Sequence, residues 1–398
     1  MTEAIRSRWI LDGTGRSFAN HALVWRDGEV VAVSSERTAD TLHLGHALII
    51  PGLVNAHVHL DLSLCPRQEA PSFVPWVRRV IGHRLSLSPE ETREAIQKGV
   101  DESLAAGVTM VGDISSGGPS WEVLESAGLR GTVYYECLGL SPARVDGNLN
   151  RFEEWLATHE PTAHLQPGIS PHAPYSTAKR IYRYAAACGL PMATHIAESQ
   201  DEVEFLATGE GPFKELLIDL GIDPHLVNID HAEEVGDLFK STRFPAFVHG
   251  NHCPELWEKE WRTGHNWIHC PRTHQYFGRK VHPFESNAFD PKKWCLATDG
   301  RSSNPDLNLL EEAKLIHAQF PKIAPAQLLA MITHQPARLL GWGRKAGSLE
   351  RGKWADFLVF RPTGSQSDSE EPHAALMAGH WKLAEVWIGG NRKIVVSA

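Results

Sequence analysis

Gly52-Leu53-Val54-Asn55-Ala56-His57-Val58-His59 is an apolar run that ends in two histidines separated by one residue. In an extended strand, residues i and i+2 point to the same side, so His57 and His59 present two imidazoles to one point. That is a metal-chelating geometry. The preceding Leu48-Ile49-Ile50 and the turn residues Pro51 and Gly52 suit a strand entering a buried sheet. With 22 histidines in 398 residues a His-x-His pair can arise by chance. What decides the reading is whether further ligands stand at the ends of later strands.

Outward from this run, from about residue 51 to 344, strand-like and helix-like stretches alternate, which favours a parallel α/β sheet. The candidate strands are Leu53–His57, Val108–Ile114, Gly131–Cys137, Leu165–Ser170, Pro191–Ile196, Ala246–Gly250, Asn266–Cys270 and Trp294–Thr298, eight in all. Pro89–Ala106, Thr177–Cys188, Asp201–Leu220, Pro254–Thr263 and Leu309–Gln319 carry helical spacing and good helix formers. Eight strand–helix units predict a TIM (β/α)8 barrel, whose active site lies at the C-terminal ends of its strands.

Both chain ends read differently. Trp9–Leu11, His21–Trp25 and Val30–Val33 are short strand patterns separated by Asp12-Gly13-Thr14-Gly15 and Asp27-Gly28, and Asp-Gly between β-rich runs is a hairpin signal. Ala355–Phe360 and Ala384–Gly390 repeat the style near the C-terminus. Neither piece has enough core to stand alone. The expectation is a small composite β-sandwich built from residues 1–50 plus 345–398, with a barrel domain at 51–344 inserted between its halves. Thr363–Glu371 reads as a polar surface segment, and no solenoid repeat is present.

Composition narrows the function. Hydrophobic content of 42% and charge of 22% are those of a soluble globular protein. A net charge of −9 argues against nucleic acid as a partner and favours a small-molecule substrate. No stretch reaches the ~18 apolar residues of a membrane span, and Met1–Arg8 lacks an apolar signal core, so no membrane association and a cytoplasmic location are expected. Six scattered cysteines without a Cys-x-x-Cys pair oppose a disulfide framework, a zinc knot and the cytidine-deaminase type of zinc site.

The barrel assignment makes a sharp test, because functional residues should sit where strands end. His57 and His59 follow the first strand, His195 the fifth, His249 the sixth and Asp299 the eighth. Nitrogen ligands with one carboxylate suit Zn²⁺ or Fe²⁺ and leave a coordination position for water. His231 rivals His249, since Leu226–His231 also alternates like a strand; taking it, however, would make Asp299 close a ninth strand.

Pro51–Leu60, His195-Ile196-Ala197-Glu198-Ser199, His269-Cys270-Pro271-Arg272 and Ala297-Thr298-Asp299-Gly300, in that order, resemble the amidohydrolase superfamily, and most closely its metal-dependent aminohydrolase branch of deaminases and triazine hydrolases. The resemblance implies one divalent metal, Zn²⁺ with Fe²⁺ as the alternative, held by His57, His59, His195 and Asp299. It implies that His249 polarises the attacking water, that Glu198 shuttles protons, and that Asp299 takes part in catalysis as well as in metal binding. No carbamylated lysine and no second metal are expected. The reaction implied is hydrolytic deamination of an amino-substituted N-heterocycle, purine- or adenosine-like. The alternatives are hydrolysis of a cyclic amidine, cyclic amide or halogenated triazine on the same fold, or a non-catalytic scaffold. A homodimer is left open.

Substrate contacts are assigned on the same basis. Ser170-Pro171-His172-Ala173-Pro174-Tyr175 resembles a motif of relatives acting on adenosine-like thioethers, which turns His172 to the substrate. Phe73–Val80 mixes aromatic and basic residues after the first strand and reads as either a lid or an ordinary amphipathic helix, with Trp76 as its candidate contact. Arg272-Thr273-His274-Gln275-Tyr276-Phe277-Gly278 departs from the commoner Arg-Ser-Asn and is similar to the group around futalosine-pathway deaminases. Arg301 stands where a small residue is common. Arg272, His274 and Arg301 are therefore expected on the substrate rim.

Overall fold

The structure is a computed structural model, and it describes residues 2–36, 41–68, 72–239, 242, 245–253, 256, 266–280, 283–286, 289–364 and 370–395. Eight parallel strands form one sheet in chain order: Leu53–Val58, Val108–Ser115, Arg130–Cys137, Leu165–Pro171, Met192–Ile196, Pro245–His249, Asn266–His269 and Trp294–Leu296. The eight-stranded parallel architecture expected from the alternation is present, with helices on its outside.

The seam between the first and eighth strands is fastened by side chains. Asn55 Nδ2 donates to Thr298 Oγ1 at 2.7 Å, and Asn55 Oδ1 accepts the Thr298 N–H at 3.2 Å. One residue further on, the Asp299 N–H donates to the His57 carbonyl at 3.2 Å. The barrel interior is filled with small or slender side chains, among them Val54, Ala56, Met110, Ala193, Ala246, Val248, Ile268 and Ala297. Ala337, Leu339 and Leu340 join the same cluster from the segment that includes the helix His334–Leu339. The interior is a packed core, so chemistry is confined to the strand ends.

Helix boundaries follow local chemistry. Pro89–Ala105 starts on a capping box, with Ser88 accepting from the Glu91 N–H while the Glu91 carboxylate accepts from the Ser88 N–H. The single helix expected over Asp201–Leu220 is two helices, Gln200–Thr208 and Pro212–Asp219. Gly209 ends the first in the left-handed region at φ 71°, and Gly211 at φ 98° precedes Pro212, whose ring suits a helix start. Leu226–His231 contains no strand, and His231 is the exposed residue before the helix Ala232–Leu238. The helical pattern at Pro254–Thr263 lies outside the described residues apart from Leu256, and the polar segment Thr363–Glu371 is described only at its two ends.

The chain ends form two further sheets, the larger from both ends and the smaller from N-terminal strands. One orders Asn391–Val395, Trp381–Ile388, Phe357–Pro362, Leu48–Pro51, Trp9–Leu11 and Ser17–Ala19; the other orders Glu29–Ser34, Ala22–Arg26, Thr2–Arg6 and Thr41–His43. The two Asp-Gly signals close antiparallel hairpins. Period-two alternation divides the larger sheet: Ile49, Phe357 and Val359 pack with Ile5, Leu23 and Trp25 of the smaller one, while Leu48, Ile50, Leu358 and Phe360 belong to the main core around the barrel. The strand Leu48–Pro51 thus leads from this sheet straight into the barrel strand that carries His57.

Candidate active site

Five side chains converge at the C-terminal mouth of the barrel. His59 Nε2 lies 3.2 Å from His195 Nε2, and Asp299 Oδ1 lies 3.5 Å from His57 Nε2 and 3.6 Å from His59 Nε2. The His249 ring centroid is 5.8 Å from that of His57 and 5.6 Å from that of His195. Potential ligand atoms of His57, His195 and His249, of His57, His59 and Asp299, and of Glu198, His249 and Asp299 lie within 4.8 Å of one another. All are buried, and neither ring nitrogen of His57 has a hydrogen-bond partner among the described residues. A buried imidazole such as His57, facing a carboxylate and two further imidazoles without a hydrogen bond of its own, fits a bound cation better than a structural polar cluster.

The backbone is bent to bring them there. Ala197, His249 and Asp299, at the ends of the fifth, sixth and eighth strands, have φ of 47°, 73° and 60°. Left-handed backbone is costly for residues with a side chain and persists where the surroundings over-determine it. His195 Nδ1 lies 3.0 Å from the His172 carbonyl, which can only accept, so the proton sits on Nδ1 and the Nε2 lone pair faces the cluster. Ser303 Oγ donates to Asp299 Oδ2 at 3.1 Å and leaves Oδ1 to the histidines.

Electrostatics favour neutral imidazoles beside an ionised carboxylate. Burial, reinforced by the neighbouring imidazoles, holds His59 and His249 well below the ordinary histidine range and lowers His195 to about 3. Burial would raise Asp299, but the proximity of His57 and His195 outweighs it and keeps the carboxyl below its usual range. Glu198 stands beside the cluster, with Oε2 at 3.3 Å from His249 Nε2 and Oε1 at 3.3 Å from Arg279 Nη2. Burial raises its carboxyl to about 8 against the pull of Arg279.

A family model for the amidohydrolase family matches residues 48–393. The chain belongs to the amidohydrolase family. Among curated relatives, it is 27% identical over 370 residues to an aminodeoxyfutalosine deaminase of Nitratiruptor sp., covering 88% of each chain. It is 27% identical over 392 residues to a 5-methylthioadenosine/S-adenosylhomocysteine deaminase of Saccharophagus degradans, covering 89% of this chain and 82% of the other. The crystal structure of Helicobacter pylori aminofutalosine deaminase with methylthio-coformycin superposes with a TM-score of 0.84 at 22% identity, covering 98% and 100% of the two chains.

The substrate-side expectations divide in this amidohydrolase. His172 lies at the site, its ring 5.1 Å from that of His195 and its Nδ1 2.6 Å from Ser176 Oγ. Trp76 lies on the helix Phe73–Ser86, donates to the Ser302 carbonyl at 3.1 Å and packs against Phe73 and Phe277. Arg272 and Arg301 are not brought to the cluster. Arg272 is bidentate to Asp306 at 2.7 and 2.9 Å, and Arg301 Nε faces Glu102 at 3.6 Å. Each cation has a carboxylate partner on its own side of the rim, which a sequence motif does not reveal. His274 is buried, and its Nδ1 lies 3.2 Å from Asn251 Oδ1, while Asn251 Nδ2 donates to the Glu198 carbonyl. It thus backs the turn that carries Glu198.

Three participants were not anticipated from the sequence. Glu202 accepts the N–H groups of Ala197 and Glu198 at 3.0 and 2.9 Å and so fixes the strained turn. Its signal was present as the capping-box spacing Ser199-x-x-Glu202, and Ser199 does cap the helix. Arg84 reaches in from the helix Phe73–Ser86, bonding Asp61 and Glu136 and placing Nη2 3.3 Å from His59 Nδ1. Arg279 follows the motif ending at Gly278 by one residue, and no local pattern marks it.

Proposed function

We propose that this amidohydrolase is a metal-dependent hydrolytic deaminase that replaces the exocyclic amino group of an adenine-like heterocycle by oxygen and releases ammonia. The observation that carries the reading is the placement of the Glu198 carboxylate 3.3 Å from His249, at the edge of a buried cluster of three further histidines and Asp299. The deaminase names of the curated relatives supply the substrate class. His57, His59, His195 and Asp299 offer the nitrogen and oxygen donors that Zn²⁺ accepts, with Fe²⁺ as the alternative.

A divalent metal held there would lower the pKa of a water molecule toward neutrality and so would supply the nucleophile at neutral pH. His249 orients and polarises that water. Glu198, protonated, donates to the ring nitrogen as the oxygen adds to the amine-bearing carbon, and it recovers a proton from the next water molecule when the nucleophile is regenerated. Asp299 accepts the proton that the nucleophile gives up and passes it to the amine, which leaves as ammonia while the carbonyl forms. Burial helps Glu198 to keep a proton near neutral pH, as a general acid requires. His172 and Trp76 line the substrate side. A reducing, cytoplasmic setting suits the six free cysteines.

The test is ammonia release by the metal-loaded protein from adenosine, 5′-methylthioadenosine, guanine, a pterin and pyrimidine amines. Release from the adenosine-like amines supports the reading. Turnover of a halogenated triazine or cyclic amide in their place, with no ammonia from any amine, would transfer the site to another hydrolase chemistry.

A further inference from the structure

Arg279 is the one cation in contact with the Glu198 carboxylate among the described residues. Its side chain is only 7% exposed. One arm of the guanidinium, Nη2, donates to Glu198 Oε1 at 3.3 Å. Aromatic rings pack against the group from one side, with Cζ 4.5 Å from the Phe277 centroid and 5.5 Å from that of Phe73, the two centroids being 5.3 Å apart. The other arm, Nη1, is buried and has no hydrogen-bond partner among the described residues. A buried charged donor left unpaired is costly, and two aromatic walls offer it nothing better than cation–π attraction.

We infer that Arg279 is a specificity-determining residue whose free Nη1 donates to an acceptor atom of the substrate beside the ring nitrogen that Glu198 protonates. The inference rests on the proposed deaminase reading. Glu198 and Arg279 form one wall, because a single hydrogen bond joins them and His249 holds the opposite carboxylate oxygen. A heterocycle placed to receive the Glu198 proton therefore lies alongside the guanidinium edge. That edge only donates. It favours a ligand with an acceptor there, such as a second ring nitrogen or an oxygen of the group carried on the ring. It disfavours a ring that turns an amino group into the same space, where two donors would oppose each other. This places Arg279 among the groups that separate adenine-type rings from their 2-amino counterparts.

The protein's own packing explains why lysine is not equivalent. A lysine could still pair with Glu198, but an ammonium has no second arm of a planar group held against Phe73 and Phe277. R279K therefore separates support of Glu198 from contact with the substrate, and R279M removes both while keeping bulk against the two rings.

The experiment measures kcat and KM for adenosine, 3-deazaadenosine, 2′-deoxyadenosine and 2-aminoadenosine on metal-loaded wild type, R279K and R279M. Calorimetric binding of inosine supplies a readout independent of turnover, and thermal melting verifies that each variant folds. A charge-assisted hydrogen bond corresponds to about ten- to a hundredfold in binding. Wild type should lose about that factor on either the 3-deaza or the 2′-deoxy compound, which identifies the ring nitrogen or the sugar oxygen as the acceptor. Both variants should lose it on adenosine and inosine and should no longer distinguish that analogue from its parent. R279K should raise KM more than it lowers kcat, and the variants should discriminate less against 2-aminoadenosine. Equal analogue losses in wild type and variants, or a fall in kcat with unchanged KM and inosine affinity, would overturn the inference while leaving the deaminase reading intact. No deamination of any of these nucleosides by wild type would instead remove the reading beneath it.

Discussion

Asn55 holds Thr298 by two hydrogen bonds of its side-chain amide, and these bonds join the first barrel strand to the eighth. His57 lies two residues beyond Asn55 and Asp299 one beyond Thr298, so the grip sets the 3.5 Å approach of the imidazole to the carboxylate. Asn55→Leu should leave the Thr298 N–H without its partner in a fully buried site, at roughly 1–3 kcal/mol, while the hydroxyl keeps its bond to the Asp299 carbonyl. The expected result is a lower melting temperature together with weakened metal retention. A variant that melts and retains metal like the parent would show that the seam does not depend on this amide.

Metal content tests the ligand set directly. His57→Ala and Asp299→Ala should each remove most of the metal from protein purified under conditions that leave the parent with about one ion per chain. Elemental analysis decides the matter. Full occupancy in both variants would move the site elsewhere.

Much of this was readable in the sequence because barrel strands are buried runs of β-formers, and because ligands must stand where those runs stop. The His-x-His pair, His195, His249 and Asp299 are all at strand ends. Choosing His249 over His231 required only that strands be counted. What could not be read was the direction of long side chains on the rim. Arg272 and Arg301 occupy positions next to functional residues, yet each turns to a carboxylate supplied by a distant part of the chain, Asp306 and Glu102. Arg84 and Arg279 arrive by the same kind of tertiary pairing, which has no period and no motif. The break within Asp201–Leu220 was legible, since Gly209 and the Gly211-Pro212 pair are stop and start signals that outweigh good helix formers on either side.

The acid dependence of metal binding follows from the depressed histidines. A ligand must be deprotonated to bind, and a lowered pKa keeps the imidazole neutral to more acid pH. Burial lowers His195 to about 3 and holds His59 well below the usual value, so protons compete with the metal less than at a model histidine of pKa about 6.5. Dialysis at stepped pH followed by elemental analysis should show the metal retained below about pH 6.5, where exposed histidines already protonate. A release midpoint at or above about 6.5 would show that the ligands titrate as exposed histidines do.

The sharpest separation of catalysis from metal binding comes at Glu198. Its carboxylate touches His249 and Arg279 and lies within 4.8 Å of His249 and Asp299 ligand atoms, and the role proposed for it is proton transfer without coordination. Glu198→Gln keeps nearly the same shape and can still accept from Arg279 through its amide oxygen. It cannot deliver a proton to a ring nitrogen. A positioned general acid contributes roughly 10²–10⁴ in rate. The variant should therefore retain parental metal content and melting behaviour while losing at least about a hundredfold in kcat on whichever adenosine-like amine the ammonia screen identifies. Loss of the metal in this variant would make Glu198 a ligand. Retention of both metal and full turnover would route the proton through another group, and Asp299, whose Oδ1 faces both His57 and His59, is the nearest carboxylate placed to take it.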